Sequence, residues 1–188
     1  LPARFNATPT TVPPPLMITP DPTVRQSVIL KKPNDGIPTI GICWKAAELF
    51  QGDRKVRSLT DGQVMRLVAS TAYKVRWVNL QFGVKADYPI SNSNVSSWEQ
   101  TCAVIDQLDA VVTVDTAVLH LAGAMRKPTA LLVSGNSCWK WGKTGKKCFW
   151  FKTVDIYRNI GYGFDNGIDL LVADIRNGKF SDVDKRTI

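Results

Sequence analysis

The chain has 188 residues, of which 44% are hydrophobic, and it carries a formal net charge of +8. This length and composition favour a single domain with a sizeable core. No stretch reaches the roughly 20 apolar residues that span a bilayer, and the first residues lack the charged-then-apolar pattern of a signal peptide. We therefore expect a cytoplasmic protein without a membrane span.

Prolines mark the first part of the chain, because nine of the eleven fall within residues 1–38. Proline fixes the backbone in extended conformations, so this composition predicts an interdomain linker over residues 1–38. We expect a Rossmann-like domain over residues 39–178 and a C-terminal tail over residues 179–188.

Strand and helix candidates alternate after the linker. The strand candidates are residues 39–44, 75–81, 110–114, 129–133 and 153–157. The helix candidates are residues 61–72, 97–108, 117–125 and 169–177. Short apolar strands that alternate with helices predict an α/β fold, in which a parallel sheet is covered by helices on both faces.

The most informative junction joins the strand at residues 110–114 to the helix at 117–125. Asp115 and Thr116 lie between them, where the first helical N–H groups lack intrahelical partners and attract phosphate. Ordinary N-capping is the alternative interpretation of this pair. His120 lies on the same helix face as Thr116, so its imidazole either donates to a ligand or only packs.

Other polar residues follow the ends of the first two strands. Lys45 follows the first strand and could meet phosphate, and Gln81 ends the second and offers a donor and an acceptor to a base or ribose. The charged loop that contains Arg54, Arg57 and Ser58 adds possible phosphate contacts, although such loops are usually only solvated.

The excess positive charge is concentrated in one region. Residues 126–152 contain seven basic residues and no acidic one, interleaved with aromatic residues. This composition suits an anionic ligand, and Trp139 and Lys140 are candidates for phosphate or acceptor contacts. The alternative is a solubilising loop whose aromatic residues pack inward, and we do not predict nucleic-acid binding as the function.

Two nucleotide motifs and a metal site are not predicted. Six residues separate Gly135 from Gly142-Lys143-Thr144, whereas a P-loop needs four, and no GxGxxG motif occurs. The four cysteines form no CxxC pair and no metal-like group with His120, so we expect reduced, partly buried thiols and neither a metal nor another cofactor.

Several segments together carry a family resemblance. They are GICWK at residues 41–45, DRKVRSL at 53–59, NLQFG at 79–83, the block at 108–133, and WKW with CFWF between 139 and 151. Over about residues 13–158 the chain resembles the C-terminal, donor-binding half of a GT-B glycosyltransferase of the heptosyltransferase type. It resembles in particular the form found at the end of bacterial tetratricopeptide-repeat glycosyltransferases.

The resemblance implies a function for individual residues. Asp115, Thr116, Ala117 and His120 would border a nucleotide sugar, and Lys45 would approach its phosphates. The family implies inverting sugar transfer to an unknown acceptor, with the catalytic base in an N-terminal acceptor domain, so we expect this chain alone to be inactive.

The chain also departs from the family pattern in two places. Ala46 and Ala47 replace a small residue or glycine after the first strand, and LVSGNSC replaces a proline-bearing run at residues 132–138. The alternative function is therefore a non-catalytic binding or structural module that uses the basic aromatic loop.

Overall fold

The computed structural model describes residue 11 and residues 13–47, 57–135 and 137–181. Its centre is a six-stranded, all-parallel sheet with the order β3-β2-β1-β4-β5-β6. The strands are β1 (Thr39–Cys43), β2 (Arg76–Asn79), β3 (Ser91–Asn92), β4 (Ala110–Thr113), β5 (Thr129–Val133) and β6 (Val154–Arg158). The predicted α/β fold class is confirmed.

Helices cover both faces of this sheet. They are α1 (Pro22–Ser27), α2 (Asp61–Ser70), α3 (Trp98–Gln107), α4 (Ala117–Ala124) and α5 (Asp165–Arg176), with a 3₁₀ turn at Trp139–Trp141. Side chains of α2 and α5 share one apolar cluster with β1, β4 and β5, whereas those of α3 and α4 pack in clusters on the opposite face. Every residue of β1, β4 and β5 is buried, as expected for strands covered on both sides.

Three elements differ from the sequence-based expectations. Helix α1 lies within the segment that we predicted to be extended, and Asp21 caps it by accepting hydrogen bonds from the amides of Thr23 and Val24. Strand β3 has only two exposed residues and was not predicted. Helix α5 begins at Asp165, one turn earlier than the predicted residue 169.

The proline-rich segment is docked on the outer side of α3. The side chain of Gln107 accepts a hydrogen bond from the amide of Leu30 at 2.9 Å and donates one to the carbonyl of Val28 at 2.7 Å. Arg25 and Lys32 form ion pairs with Asp106 and Asp109. These contacts fix residues 25–32 against the domain, while the proposed boundaries at residues 38 and 179 stay predictions.

The outer edge of β6 is covered by the chain that precedes it. Lys147 and Asp155 form an antiparallel bridge, and the amide of Ile156 donates to the carbonyl of Lys146 at 2.6 Å. The Lys147 ammonium also contacts the Asp155 carboxylate at 2.7 Å. Residues 146–148 therefore occupy hydrogen-bonding positions that a sheet edge would otherwise expose.

Gly123 in α4 provides a test of the packing between this helix and the loop that precedes β6. A Cβ at Gly123 would stand 2.4 Å from Cγ of the buried Phe151 ring, whereas one at Gly62 in α2 would meet nothing within 4 Å. We expect Gly123→Ala to lower the free energy of unfolding by about 1–2 kcal/mol, because overpacking outweighs the gain in helix propensity.

The matched control is Gly62→Ala, which should raise the free energy of unfolding by roughly 0.5–1 kcal/mol. Urea unfolding monitored by circular dichroism gives both values. Equal effects of the two substitutions would contradict the packing of Phe151 on α4.

Candidate functional site

A cleft opens where the chain changes direction across the sheet, at the carboxyl ends of β1 and β4. In doubly wound sheets ligands bind at this point, because successive connections leave it toward opposite faces. The cleft, here called the switch-point cleft, has a volume of about 400 Å³. Its described lining includes four predicted residues, which are Lys45, Gln81, Thr116 and Ala117.

The start of α4 forms one wall of the switch-point cleft. Thr116 is the N-cap residue, yet it makes no side-chain capping hydrogen bond within the described chain. Its Oγ1 instead lies 3.0 Å from Oγ1 of Thr113. The first amides of α4, which have no intrahelical acceptor, are thus left beside the cleft without a side-chain cap, as a helix that binds an anion requires.

A buried thiol connects two sides of the cleft floor. Cys43 at the end of β1 donates to Oε1 of Gln81 at 3.5 Å and accepts from Oγ1 of Thr116 at 3.7 Å. Burial raises the pKa of Cys43 to about 11, so the thiol stays protonated at neutral pH. The amide of Lys45 also donates to Oε1 of Gln81 at 2.8 Å, so a ligand would meet the amide nitrogen of Gln81.

Asp115 is held by two cations beside the switch-point cleft. Nζ of Lys140 lies 2.9 Å from its carboxylate oxygen, and the guanidinium of Arg57 donates to its backbone carbonyl at 3.1 Å. Asp115 and Lys140 are not among the described residues that line the cleft, whereas Arg57 is. Lys140 was predicted as a phosphate or acceptor contact, and here its ammonium meets a carboxylate.

His120 lies one helical turn after Thr116, next to this ion pair. The residue is exposed, and its ring centroid is 5.8 Å from that of Trp141 and 5.8 Å from that of Phe151. Desolvation by these neighbours and the charge of Lys140 lower the pKa of His120, against a smaller opposing effect of Asp115. The imidazole is therefore neutral at pH 7 in the unliganded protein.

The other predicted contacts lie apart from the switch-point cleft. Ser58 accepts a hydrogen bond from the amide of Ala46 at 3.0 Å and lines a second cleft, on the far side of Lys45. Trp139 is 71% exposed, which leaves its ring accessible. Arg54 lies outside the described residues.

The basic loop is partly neutralised by carboxylates from other elements. Lys146 pairs with Asp174, and Lys147 with Asp155, in addition to the pair between Lys140 and Asp115. Lys127 donates to backbone carbonyls at the end of α3. Trp141 and Phe151 are buried, so the inward-packing alternative holds for those two aromatic residues.

Among the lining residues of the switch-point cleft that were outside the predicted set, three offer a charge or an aromatic ring to a ligand. Arg57 was considered only as part of a charged loop, and Phe82 and Trp98 were not singled out. Phe82 is 65% exposed and Trp98 is 56% exposed, although both are large apolar side chains. An aromatic residue directly after the second predicted strand was the available signal for Phe82.

Comparison with known families gives one match. Residues 96–141 are similar to the model of glycosyltransferase family 9 (heptosyltransferase). That stretch begins at Ser96, which lines the switch-point cleft. It includes α3, β4, Asp115, Thr116, α4 and β5, and it ends with the 3₁₀ turn. A search of curated proteins found no match. The similarity supports a relationship to glycosyltransferases over this short stretch.

The single histidine allows a direct test of the site electrostatics. We expect Lys140→Gln to raise the pKa of His120, because the substitution removes a nearby cation and leaves Asp115 without this partner. Asp115→Asn should lower the same pKa. An NMR pH titration of the one imidazole signal measures both changes, and the exposed Lys143→Gln is the matched control. A pKa that Lys140→Gln leaves unchanged would contradict this geometry.

Proposed function

We propose that the chain is the donor-binding part of a glycosyltransferase and that it binds a nucleotide sugar at the switch-point cleft. One observation carries the proposal: the stretch similar to glycosyltransferase family 9 includes the helix start at the sheet's switch point, which no described side chain caps. The cleft volume of about 400 Å³ falls within the usual range for small-molecule sites.

The diphosphate of the donor would lie at the start of α4. Backbone amides at Thr116 and Ala117 would donate to its oxygens, and the helix dipole favours negative charge there. Arg57 and Lys45 line the same cleft and would add charge-assisted hydrogen bonds, for which the Lys45 ammonium would turn from Asp61, now 3.6 Å away. These groups would meet the charge of the diphosphate, so the proposal includes neither a metal nor a further cofactor.

The nucleoside would extend toward the carboxyl end of β2 and the start of α3. Phe82 and Trp98 offer exposed aromatic surfaces there, against which a base could stack. The amide nitrogen of Gln81 would donate to the ribose or base, since its amide oxygen is held by the protein.

Transfer would follow an inverting displacement in which the nucleoside diphosphate leaves. The helix amides, Arg57 and Lys45 would stabilise the charge that develops on the leaving group, which is a preorganised electrostatic role. Asp115 and His120 would border the donor. The described lining of the switch-point cleft contains no carboxylate, so the base would come from an N-terminal acceptor domain of a GT-B enzyme, as in tetratricopeptide-repeat glycosyltransferases.

A non-catalytic binding module is the second candidate. The ion pair between Lys140 and Asp115 favours it, because the pair ties a candidate donor-binding carboxylate to the basic loop. The exposed Trp139 and Phe149 of that loop would then contact a polymer or protein partner. An assay of sugar transfer separates this module from the enzyme.

The first test of the proposed function is nucleotide binding. We expect uridine, guanosine or adenosine diphosphate to bind the chain in isothermal titration calorimetry. Lys45→Ala combined with Arg57→Gln should weaken binding by roughly 2–4 kcal/mol, because charged hydrogen bonds contribute about 1.5–3 kcal/mol each and their losses are rarely additive.

The matched control is Lys74→Ala combined with Lys152→Gln, which removes the same charge. Both lysines are exposed and precede β2 and β6, so they lie at the amino ends of the parallel strands, opposite the cleft. The affinity of this control should stay close to that of the parent chain. If both double variants weaken binding equally, the loss of affinity comes from the lower net charge alone. That result would contradict nucleotide binding at the switch-point cleft.

The second test concerns catalysis. We expect the 188-residue chain alone to transfer no sugar, because reacting groups must be held within about 3–3.5 Å and the described cleft supplies no base. Slow hydrolysis of the donor is the most that we expect. The assay incubates the chain with a panel of nucleotide sugars and with sugar and protein acceptors. Rapid transfer would show that the base lies within the chain, and Asp115→Asn would then be the first variant to measure.

A further inference from the structure

A second, larger cleft lies on the other side of Lys45. This outer cleft has a volume of about 760 Å³ and is formed by the start of α2 and by the loop between β6 and α5. The residues that concern its chemistry are Ser58, Thr60, Asp61, Gln63 and Tyr162. The proposed function uses none of these five residues. Lys45 also lines the outer cleft, and it is the one described lining residue that the proposed function does use.

We propose that the outer cleft binds a sugar ring, a proposal that rests on the proposed glycosyltransferase function. A pyranose presents hydroxyl groups at its rim and apolar C–H groups on its faces. A site for it therefore needs side chains that exchange hydrogen bonds with hydroxyls, together with a flat apolar surface. The outer cleft offers both kinds of group.

Among the described residues, the polar side of the outer cleft pairs one cation with one carboxylate. The Asp61 carboxylate faces Nζ of Lys45 at 3.6 Å, and Ser58, Thr60 and Gln63 supply hydroxyl and amide groups. Hydrogen bonding to Tyr88, with a smaller effect of Lys45, lowers the pKa of Asp61, so this carboxylate is an acceptor at neutral pH. By contrast, the switch-point cleft has cations and helix amides but no described carboxylate in its lining, which suits phosphate.

The apolar side is an aromatic ring on a well-supported loop. Tyr162 is 75% exposed. The buried Asn159 directs its side-chain amide to the carbonyls of Ile160 and Tyr162 at 3.1 and 2.8 Å, and the amide of Gly135 donates to the carbonyl of Gly161 at 2.8 Å. These bonds hold the loop backbone, so the Tyr162 ring is presented beside the cleft at little cost in entropy.

Lys45 connects the two clefts. It lines both of them, its backbone amide contacts Gln81 on one side, and its ammonium contacts Asp61 on the other. A sugar in the outer cleft would therefore lie next to the diphosphate position. The ring could come from the donor itself or from a separate acceptor sugar, since both present the same chemistry.

The first arm of the test uses free glycosides. Methyl glycosides of glucose, galactose, mannose and N-acetylglucosamine are added to the full chain, and binding is measured by saturation-transfer NMR. We expect at least one glycoside to bind, and Tyr162→Ala to weaken it roughly tenfold. Asp61→Asn should also weaken it.

The matched control is Tyr73→Ala, because Tyr73 is 95% exposed and lies between α2 and β2, at the amino ends of the parallel strands. It should leave binding unchanged. Absence of any glycoside signal, or a signal that survives Tyr162→Ala, would overturn the proposal. Circular dichroism confirms that the variants fold.

The second arm identifies the source of the sugar. If the ring belongs to the donor, a nucleotide sugar should compete with the glycoside, and Tyr162→Ala should remove its advantage over the bare nucleoside diphosphate. If the ring belongs to an acceptor, glycoside and nucleotide sugar should bind together. Binding of the diphosphate with no effect of Tyr162→Ala on any sugar refutes this inference alone, whereas failure of the diphosphate to bind refutes the proposed function.

Discussion

Parallel pairing of β1 with β4 at the centre of the sheet is the constraint on which the candidate site depends. Both strands are buried on both faces along their whole length, so a one-residue shift in register would exchange side chains between the two packed apolar clusters. The observed register sets Cys43 opposite Thr113. Lys45 and Thr116 follow these two residues closely, and they therefore stand on either side of one cleft.

The sequence predicted those elements whose burial leaves a local pattern of apolar residues. It did not predict elements whose position is determined by contacts between distant residues. The apolar run at residues 110–114 identified β4 because a strand covered on both faces is apolar throughout. Strand β3 has no such pattern, and its position depends on the Asn79 side chain, which donates to Asn92 at 3.0 Å. Helix α1 did have a signal, since Asp21 before Pro22 is a typical N-cap and first-turn pair.

The location of the site could be predicted, but its electrostatics could not. A strand followed by Asp115 and Thr116 indicates a ligand position from local sequence alone. The partner of Asp115 is Lys140, which lies in the segment between β5 and β6. The carboxylates that pair with Lys146 and Lys147 come from α5 and β6. A count of charges along the chain suggested a strongly basic surface, because it cannot show which charges neutralise one another in the folded protein.

The covered edge of β6 also limits how this domain can associate with other proteins. An exposed sheet edge invites another strand to add to it, which leads to aggregation or to shared sheets between chains. Here residues 146–148 occupy that position at β6, and the opposite edge is the two-residue strand β3. Association with a partner would then use exposed side chains such as Trp139 and Phe149, so it would depend on residue identity rather than on backbone pairing.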